Sequence, residues 1–199
     1  MARGNGRMTI FRDDRDYRSF IQMFREVVEE FALECWNYCL MPNHYHSTIK
    51  PTRPNISVAI QQLNGRYAQW WNHRHSTVGH VFQGRFKAQI VQRDAYALVL
   101  ARYIALNPVR AGLVTRPEDW AWSSYAATIG LEPPPSFLSV NPALALFGTG
   151  DRAALQRRFM GFVRRDCEDA AAEDRIRLNG LIVGDADFRE RVLRGQTQV

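Results

Sequence analysis

The chain has 199 residues, 46% of them hydrophobic, and 26 Lys and Arg against 20 Asp and Glu give it a net charge of +6. That is enough apolar material for one sizeable domain, or a domain with an extension, and it excludes a disordered or collagen-like chain. No apolar run reaches bilayer length and no signal peptide or lipidation motif is found, so a cytoplasmic protein without a membrane partner is expected.

Tyr17, Phe20, Ile21, Phe24, Val27, Val28 and Phe31 form one stripe at helical spacing, which predicts a helix over 14–31 capped by Asp13 or Asp14. Residues 33–40 read as a strand. The turn Met41-Pro42-Asn43 leads into a second strand that starts at His44 and is closed by Pro51, so the two form a hairpin. Strand side chains alternate faces, so His44 and His46 point the same way and can grip one metal ion. Cys35 and Cys39 are expected as small buried hydrophobes on one side of the first of these strands, and with Cys167 they form no zinc pattern.

A second helix is expected from Ile56 to about Asn72, with Ile56, Ile60, Leu63, Tyr67 and Trp70 or Trp71 on its apolar face. A strand over 86–91 follows, then a helix from about Asp94, its N-cap, to Leu106, stopped by Pro108. Tyr103 and Asn107, four residues apart, neighbour each other on that helix. A phenol beside a neutral oxygen ligand, opposite two imidazoles, suits metal-assisted phosphoryl transfer in which Tyr103 attacks phosphorus. Plainer readings stand beside this one: a packing tyrosine, a turn asparagine before proline, and structural histidines. Tyr96 is the alternative nucleophile, but Leu100 occupies the position where it would need a ligand.

His73-Arg74-His75 is a competing His-x-His, placed at a helix end where residues two apart diverge. His80 reads as a loop residue. Most of Trp70, Trp71, Trp120 and Trp122 are expected in the core, with base stacking as the alternative. From Leu131 the composition changes through Glu132-Pro133-Pro134-Pro135, and 151–165 and 185–194 look like short helices, with Arg157, Arg158, Arg164 and Arg165 on a solvated face or on DNA backbone. The element order β-α-β-β-α-β-α predicts an α+β fold, a ferredoxin-like, mostly antiparallel sheet with helices on one face. Residues 1–130 form this domain, and 131–199 a linker with a small helical extension.

The strings MPNHYH, NGRYAQWWN, GHVFQGRFKAQIVQRDAY, RYIALNPVRAGLV and PEDWAWSSY follow in order. Together they resemble the REP-associated tyrosine transposases, relatives of single-tyrosine HUH transposases, over residues 3–129. The resemblance implies an HUH endonuclease fold that cleaves and joins single-stranded or hairpin DNA through a covalent 5′-phosphotyrosine, using a divalent metal such as Mg²⁺ or Mn²⁺. It places the metal ligands at His44, His46 and Asn107 and the nucleophile at Tyr103. Arg66, Arg85, Lys87 and Arg110, in the matching blocks, are the expected DNA-backbone contacts, and 24 of the basic residues are Arg, whose planar fork suits phosphate.

Three departures accompany the resemblance. Ser47-Thr48 replace an aliphatic pair, no Gly-Thr-Ser segment is found near the N-terminus, and most of the family's first strand is expected to be missing before Arg3-Gly4-Asn5. The assembly is expected to be a monomer or a homodimer. Two other functions remain open: a sheet-based nucleic-acid-binding module without catalysis, and a metal-dependent phosphodiesterase that uses water in place of Tyr103.

Overall fold

The computed structural model describes residues 1–93, 95–165 and 181–195. Asp94, expected to cap the third helix, and Cys167 lie outside them. Helix α1 (Asp14–Glu30) starts where Asp13 accepts hydrogen bonds from the backbone N–H groups of Arg15 and Asp16, at 3.0 and 3.2 Å. It buries Tyr17, Phe20, Phe24, Val27 and Val28. Ala32, in the left-handed region at φ 50°, then reverses the chain into β2 (Leu33–Met41).

Strands β2 and β3 (His44–Pro51) form the expected hairpin, paired antiparallel from Leu33↔Pro51 to Met41↔His44. On the far side of β3 lies β1, only Ala2–Arg3, in register Ala2↔Tyr45 and Arg3↔His44. Outside β1 runs the segment 81–87, tied by bonds from Asn5 N to Val81 O, Gln83 N to Arg3 O and Lys87 N to Met1 O, each 2.9 Å. Spatial order is therefore 81–87, β1, β3, β2, the antiparallel order of a ferredoxin-like sheet.

The expected strand over 86–91 is shorter than its composition suggests. Main-sheet pairing stops at Lys87, and β4 (Ile90–Val91) instead pairs in parallel with β5 (Ile182–Val183). Helix α3 (Ala95–Arg110) runs through Pro108 rather than stopping before it. Pro108 has no N–H to give the Ile104 carbonyl, and backbone bonds from Ala111 to Asn107 and from Leu113 to Pro108 close the helix end beyond it.

Helix α2 (Ile56–His75) buries Ala59, Ile60, Leu63, Tyr67 and Trp71, so Trp71 rather than Trp70 takes the core position. With α1 it covers the sheet face that carries Ala2, Leu33, Cys35, Tyr38, Leu40 and Tyr45. Helix α3 crosses the opposite face, where Ile104 packs on Cys39 and Met41. The two buried cysteines therefore face opposite ways, contrary to the expected shared side. A bulge between Cys35 and Asn37 inserts one residue and inverts the alternation along β2.

The outer edge of β2 is sealed by the chain itself. Leu40 N donates to Trp122 O at 2.9 Å, Tyr38 N to Ser124 Oγ at 2.9 Å, and Ser139 N to Cys35 O at 2.7 Å. Helices α4 (Tyr125–Thr128), α5 (Val140–Ala145) and α6 (Arg152–Arg164) follow. Phe137 packs on Phe24 and Tyr38, and Phe159 on Tyr125, so residues past 131 share the main core. Helix α7 (Ala186–Leu193) follows β5. Among the described residues no helix is long and apolar enough to cross a membrane.

Candidate active site

Alternation along β3 sends Tyr45 one way and the two histidines the other. Tyr45 is 1% exposed, its ring 4.8 Å from Phe20 and its hydroxyl donating to Asn64 Oδ1 at 2.9 Å. His44 and His46 stand on the α3 side with ring centroids 4.9 Å apart, edge to face. Tyr103 reaches them from α3, its ring edge-on to His46 at 5.5 Å. The ring that meets this pair is Tyr103; Tyr96 lies two turns back on the same helix. Packing of Ile104 on Cys39 and Met41, the strand partners of His46 and His44, fixes the height of α3 over the imidazoles.

Burial holds both imidazoles neutral. His44 is pushed down from 6.5 to about 4, first by desolvation and then by the positive charges of Arg3 and the N-terminal ammonium. His46 is lowered well below its ordinary value by burial and by the same neighbours, with His44 among them. Neutral imidazole is the form that ligates a metal.

Asn43, in the turn before the first histidine, was not singled out by sequence reasoning, yet it contacts the site directly. Its Nδ2 donates to the Arg7 carbonyl at 3.2 Å, which orients the amide and leaves Oδ1 facing His44 Nδ1 at 2.7 Å. An amide oxygen only accepts, so Nδ1 of the neutral ring carries the proton and Nε2 keeps its lone pair. The signal available in the sequence was the Asn-His adjacency in a tight turn, where Asn side chains bond locally.

Asn107 sits one turn beyond Tyr103, and its Nδ2 donates to the Tyr103 carbonyl at 2.8 Å. That leaves its Oδ1 as the available acceptor. Among the described residues no group of three His, Cys, Asp or Glu side chains could hold a metal. Two neutral imidazoles, with a neutral amide oxygen one helical turn from Tyr103, have the donor chemistry for a divalent cation that keeps open positions for substrate oxygens.

The expected DNA contacts are not all in one place. The Arg110 guanidinium lies 5.6 Å over the Tyr103 ring, one face of the same helix. Lys87 is tied to Met1 by backbone bonds in the edge segment, and Arg85 is exposed beside it. Arg66 sits on the α1–α2 side, where it pairs with Glu30 at 2.8 Å. Arg3, cross-strand neighbour of His44 and alternate to the buried Ala2, shares the histidine face and was missed as a site cation.

The second His-x-His has a structural assignment. Asp16, fully buried, accepts from Arg12 N at 2.8 Å, from His75 Nε2 at 3.1 Å and from Arg74, which also grips Asp13 at 2.6 Å. The cluster joins the C-terminus of α2 to the N-terminus of α1, where each charge also suits its helix dipole. Of the tryptophans, Trp122 stacks on Tyr17 at 4.5 Å and Trp120 donates to Leu40 O at 3.0 Å, so both serve packing.

Residues 1–107 match the family model of IS200-like transposases. A Haemophilus influenzae protein assigned by name to the REP-associated tyrosine transposases is 23% identical over 145 residues, 67% of this chain and 82% of its own. A solved REP-associated tyrosine transposase bound to a REP hairpin aligns with TM-score 0.55 at 16% identity, over 76% of this chain and 82% of that one. The likeness to that structure shows the fold, the HUH arrangement of a small antiparallel sheet with helices on both sides. Taken with the match over more than half of the sequence, it establishes that the chain belongs to the IS200-like transposase family.

Proposed function

We propose that the protein cleaves and rejoins single-stranded DNA beside a hairpin, with Tyr103 as nucleophile and a divalent cation held by His44, His46 and Asn107. The observation that carries this reading is the meeting of the Tyr103 ring with His46, itself against His44, on one sheet face. The phenol oxygen of Tyr103 bonds to phosphorus, and its proton passes to solvent. The bond from phosphorus to the 3′ oxygen breaks, and that oxygen leaves as a 3′-hydroxyl while the 5′ phosphate stays on the tyrosine. Attack by a 3′-hydroxyl reverses the step, so joining needs no external energy. Magnesium or manganese, when bound, supplies charge withdrawal from a non-bridging phosphate oxygen. Arg110 and Arg3 bring positive charge to the same face, and Arg85, Lys87 and Arg66 serve the DNA backbone farther out.

The test is incubation of the purified protein with labelled hairpin-bearing single strands and manganese, followed by denaturing gels. A protein–DNA adduct is expected for the parent and none for Tyr103→Phe. An adduct that persists in Tyr103→Phe removes the nucleophile assignment, and DNA binding without an adduct under any divalent metal favours a binding module instead.

A further inference from the structure

The sequence block Arg3-Gly4-Asn5-Gly6-Arg7 has no catalytic residue in the reading above, yet it wraps the turn that delivers His44. Gly4 N donates to Asn43 O at 2.8 Å, and Ile10 N and Phe11 N both donate to Pro42 O, at 2.8 and 3.0 Å. Gly4 is required by space: a Cβ there would stand 2.3 Å from Met8 O and 2.8 Å from Ile10 Cγ2. Arg7 adopts a left-handed backbone, φ 63°, at the position whose carbonyl receives the Asn43 amide. The Gly4 donor and the Arg7 carbonyl of this block, with the donors of Ile10 and Phe11 just after it, thus hold one side chain and its turn.

We infer that Asn43 is a positioning residue that locks the His44 ring as its Nδ1–H tautomer, with the Gly4–Arg7 turn holding the Asn43 amide in the required orientation. The inference rests on His44 being a metal ligand. The lock works through two linked hydrogen bonds, Asn43 Nδ2 donating to the Arg7 carbonyl and His44 Nδ1 donating to Asn43 Oδ1. Without it a neutral imidazole divides its proton between both nitrogens and rotates about χ2, so Nε2 is offered to the cation only part of the time. Partners that orient a ligating histidine through its second nitrogen contribute about 10–100-fold to metal affinity.

The test uses the whole 199-residue chain. Nitrogen-15 NMR of the His44 ring in the metal-free state at neutral pH is expected to report Nδ1–H in the parent and a tautomer mixture in Asn43→Ala. Calorimetric titration with Mn²⁺ alone is expected to show affinity about 10-fold or more lower in Asn43→Ala. Asn43→Asp, which retains the acceptor for Nδ1–H but cannot donate to the Arg7 carbonyl, is expected to recover the tautomer while leaving the affinity below the parent's. Parent-like tautomer and parent-like Mn²⁺ affinity in a folded Asn43→Ala overturn the inference while leaving His44 as ligand. A parent protein that binds no Mn²⁺, or a His44→Ala variant that binds it equally well, overturns the metal reading and this inference with it.

Discussion

Replacing Tyr45 by Phe separates packing from chemistry at the centre of the site. Tyr45 lies between the two histidines in sequence, but its side chain belongs to the opposite sheet face, 1% exposed and against Phe20. The substitution keeps the ring, so no cavity forms. It removes one hydrogen bond, worth about 1 kcal/mol net, and leaves Asn64 Oδ1 half-buried without its donor, which adds up to about 1 kcal/mol. The expected loss is about 1–2 kcal/mol, or a fall in Tm of about 2–8 °C for a chain of this size. Urea titration should show a lower midpoint at unchanged slope. Manganese affinity and the yield of tyrosine–DNA adduct at a temperature where both proteins are folded should equal the parent's. A Tyr45→Phe variant of full stability that fails to form the adduct would refute the face assignment on which the site is built.

Asp16→Ala should destabilise by about 3 kcal/mol in urea titration, since it leaves Arg74 and His75 without the buried carboxylate between them; a loss under about 1 kcal/mol would show the cluster to be dispensable. In metal-free buffer, stability should fall with pH between about 6.5 and about 4, because the unfolded chain protonates His44 across that window while the folded one does not. Above about 6.5 the group is neutral in both states and contributes nothing. Below about 4 the penalty levels off at about 3 kcal/mol, and a His44→Gln variant should flatten that part of the curve. Arg66→Ala should reduce the slope of log affinity against log salt by about 0.7 for single-stranded DNA, with adduct yield at saturating DNA unchanged. An unaltered slope would take Arg66 off the DNA path and leave it as the partner of Glu30 alone.

The alternation of His44, Tyr45 and His46 was legible because a strand's period fixes which side chains share a face. Tyr103 was legible for the matching reason, since helical spacing and the family blocks point to the same helix. What escaped reading depended on contacts between distant segments. Pro108 reads as a stop from local rules, but bonds from Ala111 to Asn107 and from Leu113 to Pro108 carry the helix past it at the cost of one bond to the Ile104 carbonyl. The strand over 86–91 was inferred from composition, whereas its pairing is decided by where β1 offers backbone groups and where β5 lies. Likewise, nothing local in Arg66 reveals that Glu30, on another helix, occupies its guanidinium. The Asn43 bridge needed Arg7, 36 residues earlier, to orient the amide.

The insertion in β2 between Cys35 and Asn37 makes the two halves of that strand obey opposite inside–outside rules. Losing Trp36 alone would leave Asn37 next to Cys35 in regular alternation, with Tyr38 and Leu40 still in the aromatic interior and Cys39 and Met41 still under the tyrosine helix. Losing Cys39 instead would bring Tyr38 opposite His46, on the surface that seats Ile104, and turn Asn37 into the interior, while His44 and His46 keep their direction. Length changes between the bulge and the turn should therefore be purged from functional descendants far more severely than those in the exposed connection around Glu132–Pro135.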